Sequence, residues 1–215
     1  YVFLHKNRII MIFEEFRKEF IDQICFTSNQ VYAWHPGFDK NTLSRWVKKG
    51  YLIKLRNNLY TFSELKSVNN IHFYIANRIY RPSYLSLHTA LSFHGLIPES
   101  IVQSTSVSTM KTAYFKNELG IFSYKKIKNE LFFGYTHLEF TKDKTFLIAL
   151  PEKALLDLLY LYPFYNTVAE ITNLRIDEGI LSDIIQLSRL EEFLSHFKSK
   201  ALEKRTNLFL KCYQI

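Results

Sequence analysis

The sequence predicts an α+β protein. Three short helices and a β-hairpin precede a mixed α/β region with a mainly antiparallel sheet and C-terminal helices. Three observations predict it. Residues 39–62, DKNTLSRWVKKGYLIKLRNNLYTF, pass from a helical apolar period to a two-residue period across a single glycine. Short segments rich in Val, Ser and Thr, separated by polar breaks, recur between residues 101 and 150. After Pro151 the apolar spacing is helical again.

Taken in order, Phe13 to Ile24 reads as a helix with Phe13, Phe16, Phe20 and Ile24 on one stripe. Thr27-Ser28-Asn29-Gln30-Val31-Tyr32 supplies a cap and a second, short helix. Asp39 can cap a third helix beginning at Lys40, and Gly50 can close it in a left-handed conformation. Within that helix Leu43, Trp46 and Val47 share a buried face, while Asn41, Ser44, Arg45, Lys48 and Lys49 fall largely on the other side. Tyr51 to Leu55 then alternates as a half-buried strand, and Asn57-Asn58 suits the positive-φ positions of a type I′ turn. Leu59-Tyr60-Thr61-Phe62 returns, with Arg56 and Asn57 at the tip. Three helices and a two-stranded wing in about fifty residues is the layout of a winged helix-turn-helix, assigned here to residues 11–68. Residues 1–10 precede Met11 and do not begin with methionine, so they are set outside the fold as a cloning scar, an upstream read-through or a disordered segment.

Charge points the same way. Lys40, Arg45, Lys48, Lys49, Lys54 and Arg56 make six cations with no acid among residues 40–56, which is most of the chain's net charge of +8. Basic residues concentrated on a small module are the footprint of a phosphate-contacting surface. The bland alternative is a solvated helix face with ordinary lysines. On the DNA-binding reading, Asn41, Thr42, Ser44 and Arg45 would face base edges of the major groove. Lys48, Lys49, Lys54, Arg56 and Asn57 would contact phosphates or the adjacent minor groove. One small module generally reaches useful specificity in pairs, so a dimer or a cooperative pair on an inverted-repeat operator is expected.

Asn69-Asn70 marks a junction, with a boundary near Lys66 to Ile71 and a second domain over 72–215. His72 to Ile79 reads as a helix that stops before Arg81-Pro82. Another helix runs from Ser83 or Ser86 to His94, with Leu87, Ala90 and Leu91 inward and Gly95 as terminator. Strands are expected at Ile101 to Thr109, Ile121 to Tyr124, Leu131 to His137 and Thr145 to Leu150. Pro151 opens a helix whose apolar face is Ala154, Leu155, Leu158 and Leu159 and which Pro163 ends. From Val168 on the chain reads as helical, with Leu181, Ile184, Ile185, Leu187, Leu190, Phe193 and Leu194 as a stripe.

The 215 residues, 47% of them hydrophobic, are enough for a real core and exclude a disordered chain. The aromatic residues, 16% of the total, are spread along the chain and read as core. Cys25 and Cys212 lie too far apart for a disulfide framework or a zinc site, and a reducing cytoplasm is the simplest setting. No apolar run approaches the roughly twenty residues that span a bilayer, so no membrane partner is expected.

Hidden chemistry has few footholds. Lys153 and Asp157 are four apart on the Pro151 helix and can pair, a geometry contributing about 0.3–0.5 kcal/mol when exposed. With Glu152 near the helix start, they read as capping or pinning residues. A DNA-binding metal nuclease would want acids and a lysine converging on magnesium. The nearest candidates, Glu139 and Lys142, point to opposite faces of a strand. Ser86 reads as a cap, and His88 and His94 as packing or surface histidines. No metal-ligand spacing or phosphate-cradling glycine loop occurs, so no cofactor is expected.

Three pieces carry a family resemblance. They are Trp46-Val47-Lys48-Lys49-Gly50-Tyr51-Leu52-Ile53-Lys54-Leu55-Arg56 with Leu59-Tyr60, then Tyr84-Leu85-Ser86-Leu87-His88-Thr89-Ala90-Leu91 with His94-Gly95-Leu96, and Ala149-Leu150-Pro151-Glu152-Lys153-Ala154-Leu155-Leu156-Asp157-Leu158-Leu159. In this order, across residues 26–165, they resemble the AbiEi-type antitoxin family. The resemblance implies a transcriptional autorepressor encoded beside a nucleotidyltransferase-like toxin in a type IV toxin–antitoxin operon for abortive phage defence. It implies operator binding by the N-terminal winged helix and antitoxicity in the C-terminal domain, whose motif would include Ser86, His88, Glu152, Lys153 and Asp157. From the residue arguments above, no catalysis is expected. The tail beyond Tyr165 matches less clearly. A protein-interaction module that docks a partner through its C-terminal helices is the other reading.

Overall fold

The structure, a computed structural model, describes residues 12–98 and 103–215. The chain divides into two compact units. The first ends at Ile71 and takes in Lys116–Leu119; the second comprises His72–Phe115 and Gly120–Ile215. Residues 1–10, set outside the fold on the sequence, lie outside the described residues.

In the first unit helix α1 (12–20) buries Phe16 and Phe20. It does not continue to Ile24: a 3-10 turn over Ile21–Gln23 follows, and Ile24 takes a positive φ of 65°. Strand β1 (Cys25–Thr27) then leads into α2 (Ser28–Trp34), where Thr27 and Gln30 form a reciprocal capping box that satisfies two otherwise orphaned amides. Helix α3 (Asn41–Lys48) ends where Gly50 adopts φ +74°, and Tyr51 N–H closes the turn on the Trp46 carbonyl. Strands β2 (Leu52–Arg56) and β3 (Leu59–Phe62) follow. The ladder has three strands, ordered β1-β3-β2 and antiparallel throughout. Phe16, Phe20, Phe26, Val31, Leu43, Trp46, Leu52, Tyr60 and Phe62 make one core. That core is largely aromatic, and Trp46 meets Phe13, Phe16 and Phe38 at ring-centroid distances of 5.0, 4.8 and 5.6 Å.

The hairpin turn differs from the expected type I′, which needs positive φ at both central residues. Only Asn58 has it, at 59°, and the ladder shifts register between Lys54 and Arg56. The hairpin therefore closes with one left-handed residue beside an irregularity of the β2–β3 ladder.

The second unit holds, apart from the last two residues of β6, a six-stranded sheet ordered β6-β7-β5-β4-β9-β8. Its strands are β4 (Ser83–Leu85), β5 (Gln103–Ser108), β6 (Ala113–Asn117), β7 (Gly120–Lys126), β8 (Tyr135–Thr141) and β9 (Lys144–Ala149). The sheet is mixed, against the expectation of a mainly antiparallel one. Strands β4–β5 and β8–β9 pair antiparallel, whereas β4–β9 and β5–β7 pair parallel. The parallel pairs join strands that are not consecutive in the chain: β6 lies between β5 and β7, and four strands separate β4 from β9. Of the two helix starts the sequence leaves open, Ser83 and Ser86, the structure takes the later: Ser83–Leu85 is a fully buried three-residue strand, Ser86 is the N-cap, and α5 runs over Leu87–Phe93 before Gly95 at φ +77°. Leu131 lies in a 3-10 turn (Asn129–Leu131), so the strand expected at Leu131 starts later, at Tyr135.

Helix α4 (Ile71–Ile79) sets Phe73 on Phe146 and Tyr74 on Phe140. Pro151 opens α6 (Pro151–Leu161), which packs against α5. The C-terminal helices are α7 (Val168–Thr172), α8 (Glu178–Ile184), α9 (Leu187–Phe197) and α10 (Lys200–Tyr213). Of the predicted stripe Leu181, Ile185 and Leu190 are buried, while Leu187 is exposed. Among the described residues no helix is long and apolar enough to cross a membrane.

Candidate nucleic-acid interface and buried polar cluster

In α3 the predicted faces separate. Leu43 and Trp46 are buried, and Asn41, Ser44, Arg45, Lys48 and Lys49 are exposed; Thr42 is half-buried. Lys40, Lys54, Arg56 and Asn57 are exposed as well. The helix starts one residue later than expected, with Lys40 at the N-cap and no side-chain cap bond there. Asp39 still serves the terminus, because its Oδ1 accepts the Asn41 N–H at 2.9 Å. Its Oδ2 pairs with Arg45 Nη2 at 2.6 Å, and the same nitrogen donates to Thr42 Oγ1 at 2.7 Å. The Asn41 amide bond, with Arg45 as a lesser contributor, holds the Asp39 carboxyl below its usual range. Arg45 is thus tethered to its own helix start. Lys40, Lys48, Lys49, Lys54 and Arg56 form no ion pair among the described residues.

In the second unit Ser86, Lys153 and Asp157 do come together, joined by Tyr84, a residue of the family-like motif with no role expected of it from the sequence. Asp157 Oδ2 accepts from Tyr84 Oη at 2.9 Å and from Ser86 Oγ at 2.8 Å. Lys153 Nζ donates to Tyr84 Oη at 2.8 Å and to Asp157 Oδ1. The ammonium also lies about 5 Å from the rings of Phe133 and Phe197, each at 5.1 Å from the centroid. Lys153 and Asp157 have zero side-chain exposure, so the expected surface pair is a buried ionic cluster. Burial pulls the Lys153 ammonium below its ordinary value and pushes the Asp157 carboxyl up, with each partner opposing the other's shift. Burial, and then the Asp157 charge, drives the Tyr84 phenol well above its own.

Ser86 is the N-cap of α5, but its hydroxyl makes no capping bond and goes to Asp157 instead. Glu152 is fully buried: Oε1 accepts the Gln186 N–H at 2.9 Å and lies 3.6 Å from Arg189 Nη1, while Oε2 has no hydrogen-bond partner among the described residues. His88 stands apart from the cluster, with Nε2 3.2 Å from Tyr165 Oη. His94 Nε2 is 2.8 Å from the Ala149 carbonyl oxygen. Glu139 is exposed on β8, and Lys142 lies in the turn that follows. Among the described residues no three His, Cys, Asp or Glu side chains are grouped to hold a metal.

The solvent-excluded cluster ties α6 to β4 across 73 residues of sequence, through Tyr84 and Asp157. Its donors and acceptors are spent on one another, which makes it a fastener. No protein-family model matches the chain, and no curated protein matches it.

Proposed function

We propose that the first unit is a winged helix-turn-helix that binds duplex DNA. On this reading the chain is a non-enzymatic autorepressor and antitoxin of the AbiEi type. The observation that carries it is the set of exposed cations on α3 and the β2–β3 hairpin, with no acid from residue 40 to 56. They stand on a core of interlocked aromatic rings that fixes the helix against the sheet. Asn41, Thr42, Ser44 and Arg45 are the base-reading candidates; Lys40, Lys48, Lys49, Lys54, Arg56 and Asn57 supply phosphate and minor-groove contacts. Two copies act on an inverted repeat. Fluorescence anisotropy with DNA from upstream of its own gene and with a scrambled duplex, each at low and near-physiological salt, tests this. A preference of about a thousandfold at the higher salt supports an autorepressor; equal binding that fades together leaves only an electrostatic surface.

Neutralisation of a nucleotidyltransferase-like toxin is assigned to the second unit. The feature that favours a protein partner there is the exposure of Phe164 and Val168, at 52% and 59%, before and within α7. Phe164→Asp with Val168→Asp in the full chain should abolish rescue of a co-expressed toxin while repression persists. Rescue by the double variant would remove these residues from the antitoxin surface.

A further inference from the structure

A cleft of about 520 Å³ in the second unit lies away from the residues considered so far. Asn77 and Arg78 of α4, Arg81 and Pro82 of the following link, Ser83 of β4, and His137, Thr145 and Leu147 of β8 and β9 line it. Its size is that of pockets that enclose small organic ligands, about 300–1,000 Å³. The lining residues include two arginines and a histidine but no acid. Glu139, next on the same face of β8, is outside it.

The walls are fixed by internal bonds. Asn77 Oδ1 accepts the Leu147 N–H, and Ser83 Oγ donates to the Tyr80 carbonyl at 2.5 Å. The arginines are spent far less fully. Arg81 uses Nε on the Asn77 carbonyl at 3.2 Å, and Arg78 lies with Cζ 4.6 Å above the Tyr74 ring. Neither forms an ion pair among the described residues. Capping the end of α4 would account for Arg81 Nε and for the charge of Arg78 near a helix C-terminus. It leaves the Nη donors of the half-buried Arg78 and the exposed Arg81 without a protein partner among the described residues, and a guanidinium fork matches phosphoryl oxygens.

We propose that this cleft binds a small phosphomonoester of mononucleotide size. Arg78 and Arg81 take the phosphoryl group, and Pro82 and Leu147 flank an apolar or planar body. The inference stands independently of the DNA-binding reading, since it uses no residue of the first unit.

Isothermal titration of the full-length protein with 5′-AMP, 5′-GMP, 5′-CMP, 5′-UMP, adenosine and inorganic phosphate tests it, beside Arg78→Gln and Arg81→Gln. At least one mononucleotide should bind about tenfold or more tighter than adenosine and inorganic phosphate, and each variant should lose about tenfold or more, the scale of one charge-assisted hydrogen bond. Arg81→Lys should recover only part of that, because it restores charge without the fork. Equal binding of nucleotide and inorganic phosphate would overturn the organic-ligand assignment, and undiminished binding by both glutamine variants would overturn the site. If no mononucleotide binds and the variants instead weaken duplex DNA in anisotropy, the arginines belong to a nucleic-acid path and the proposal fails. The comparison of ligands on the unmodified protein decides even where a variant does not fold.

Discussion

Lys153 and Asp157, one turn apart in α6, form an ion pair in which neither side chain touches solvent. Desolvating two charges is costly, and the cluster tolerates it because Tyr84 and Ser86 complete the hydrogen bonding of Asp157. Asp157→Ala leaves a buried ammonium and two hydroxyls without their acceptor, and should cost about 3–5 kcal/mol in urea unfolding. Lys153→Met combined with Asp157→Leu should cost markedly less, since no uncompensated charge remains. A double variant as unstable as the single one would mean that shape, and not charge, holds α6 to β4.

The histidines set an acid limit. Burial lowers the pKa of His94, opposed by the Ala149 carbonyl and Glu152, and burial alone lowers that of His72. Their folded values lie below the ordinary 6.5. Between the two values the unfolded chain binds more protons, so stability is lost as pH falls from 6.5 toward the folded pKa. Urea midpoints should therefore drop as pH is lowered from about 7.5 to about 5.5, and His94→Gln, which keeps a donor for the Ala149 carbonyl, should flatten the slope. Parallel slopes in variant and parent would exonerate His94.

Local chemistry was legible where one short stretch decides the outcome. The Leu43, Trp46, Val47 spacing located α3, Thr27 announced its cap, and Gly50 and Gly95 take the left-handed conformations expected of terminators. Illegibility begins where the decisive partner is remote. Ser83–Leu85 is a strand only because β5 and β9 flank it, and three residues running straight into a helix carry no period of their own. Ala113–Asn117 is a strand not expected from the sequence, and its burial alternates between half-buried and exposed without a fully buried residue to mark it. The Lys153–Asp157 spacing was visible, but its burial was not. The residues that enclose it, Tyr84, Phe133 and Phe197, are dispersed along the chain.

Gly134 should tolerate no side chain. Its φ is +71°, and a Cβ there would stand 3.0–3.1 Å from Cγ, Cβ and Cδ of Lys153. Gly134→Ala adds a left-handed penalty of about 1–2 kcal/mol to a displacement of the Lys153 stem from its aromatic surroundings. A fall in thermal midpoint is expected, larger than for Gly50→Ala, where φ is a similar +74° and a Cβ would meet nothing within 4 Å. Equal losses at the two glycines would show that backbone conformation alone matters.

The tether between Asp39 and Arg45 bears on how α3 would read a sequence. Both side chains are at least half exposed, so the ion pair itself contributes little to stability. On the surface proposed to meet DNA it both withholds a guanidinium from a base and places a carboxylate near phosphates. Asp39→Asn keeps an oxygen for the Asn41 amide while removing the charge, and should tighten binding to all duplexes at low salt. Arg45→Ala should cost about 1–3 kcal/mol on the operator and relax sequence choice, whereas Lys54→Ala should weaken every duplex alike and reduce the salt slope by about one. The three variants together separate steering from reading in one anisotropy series. If Arg45→Ala lowers specific and nonspecific binding equally, Arg45 makes no base contact, and its bond to Asp39 is simply the start of a helix.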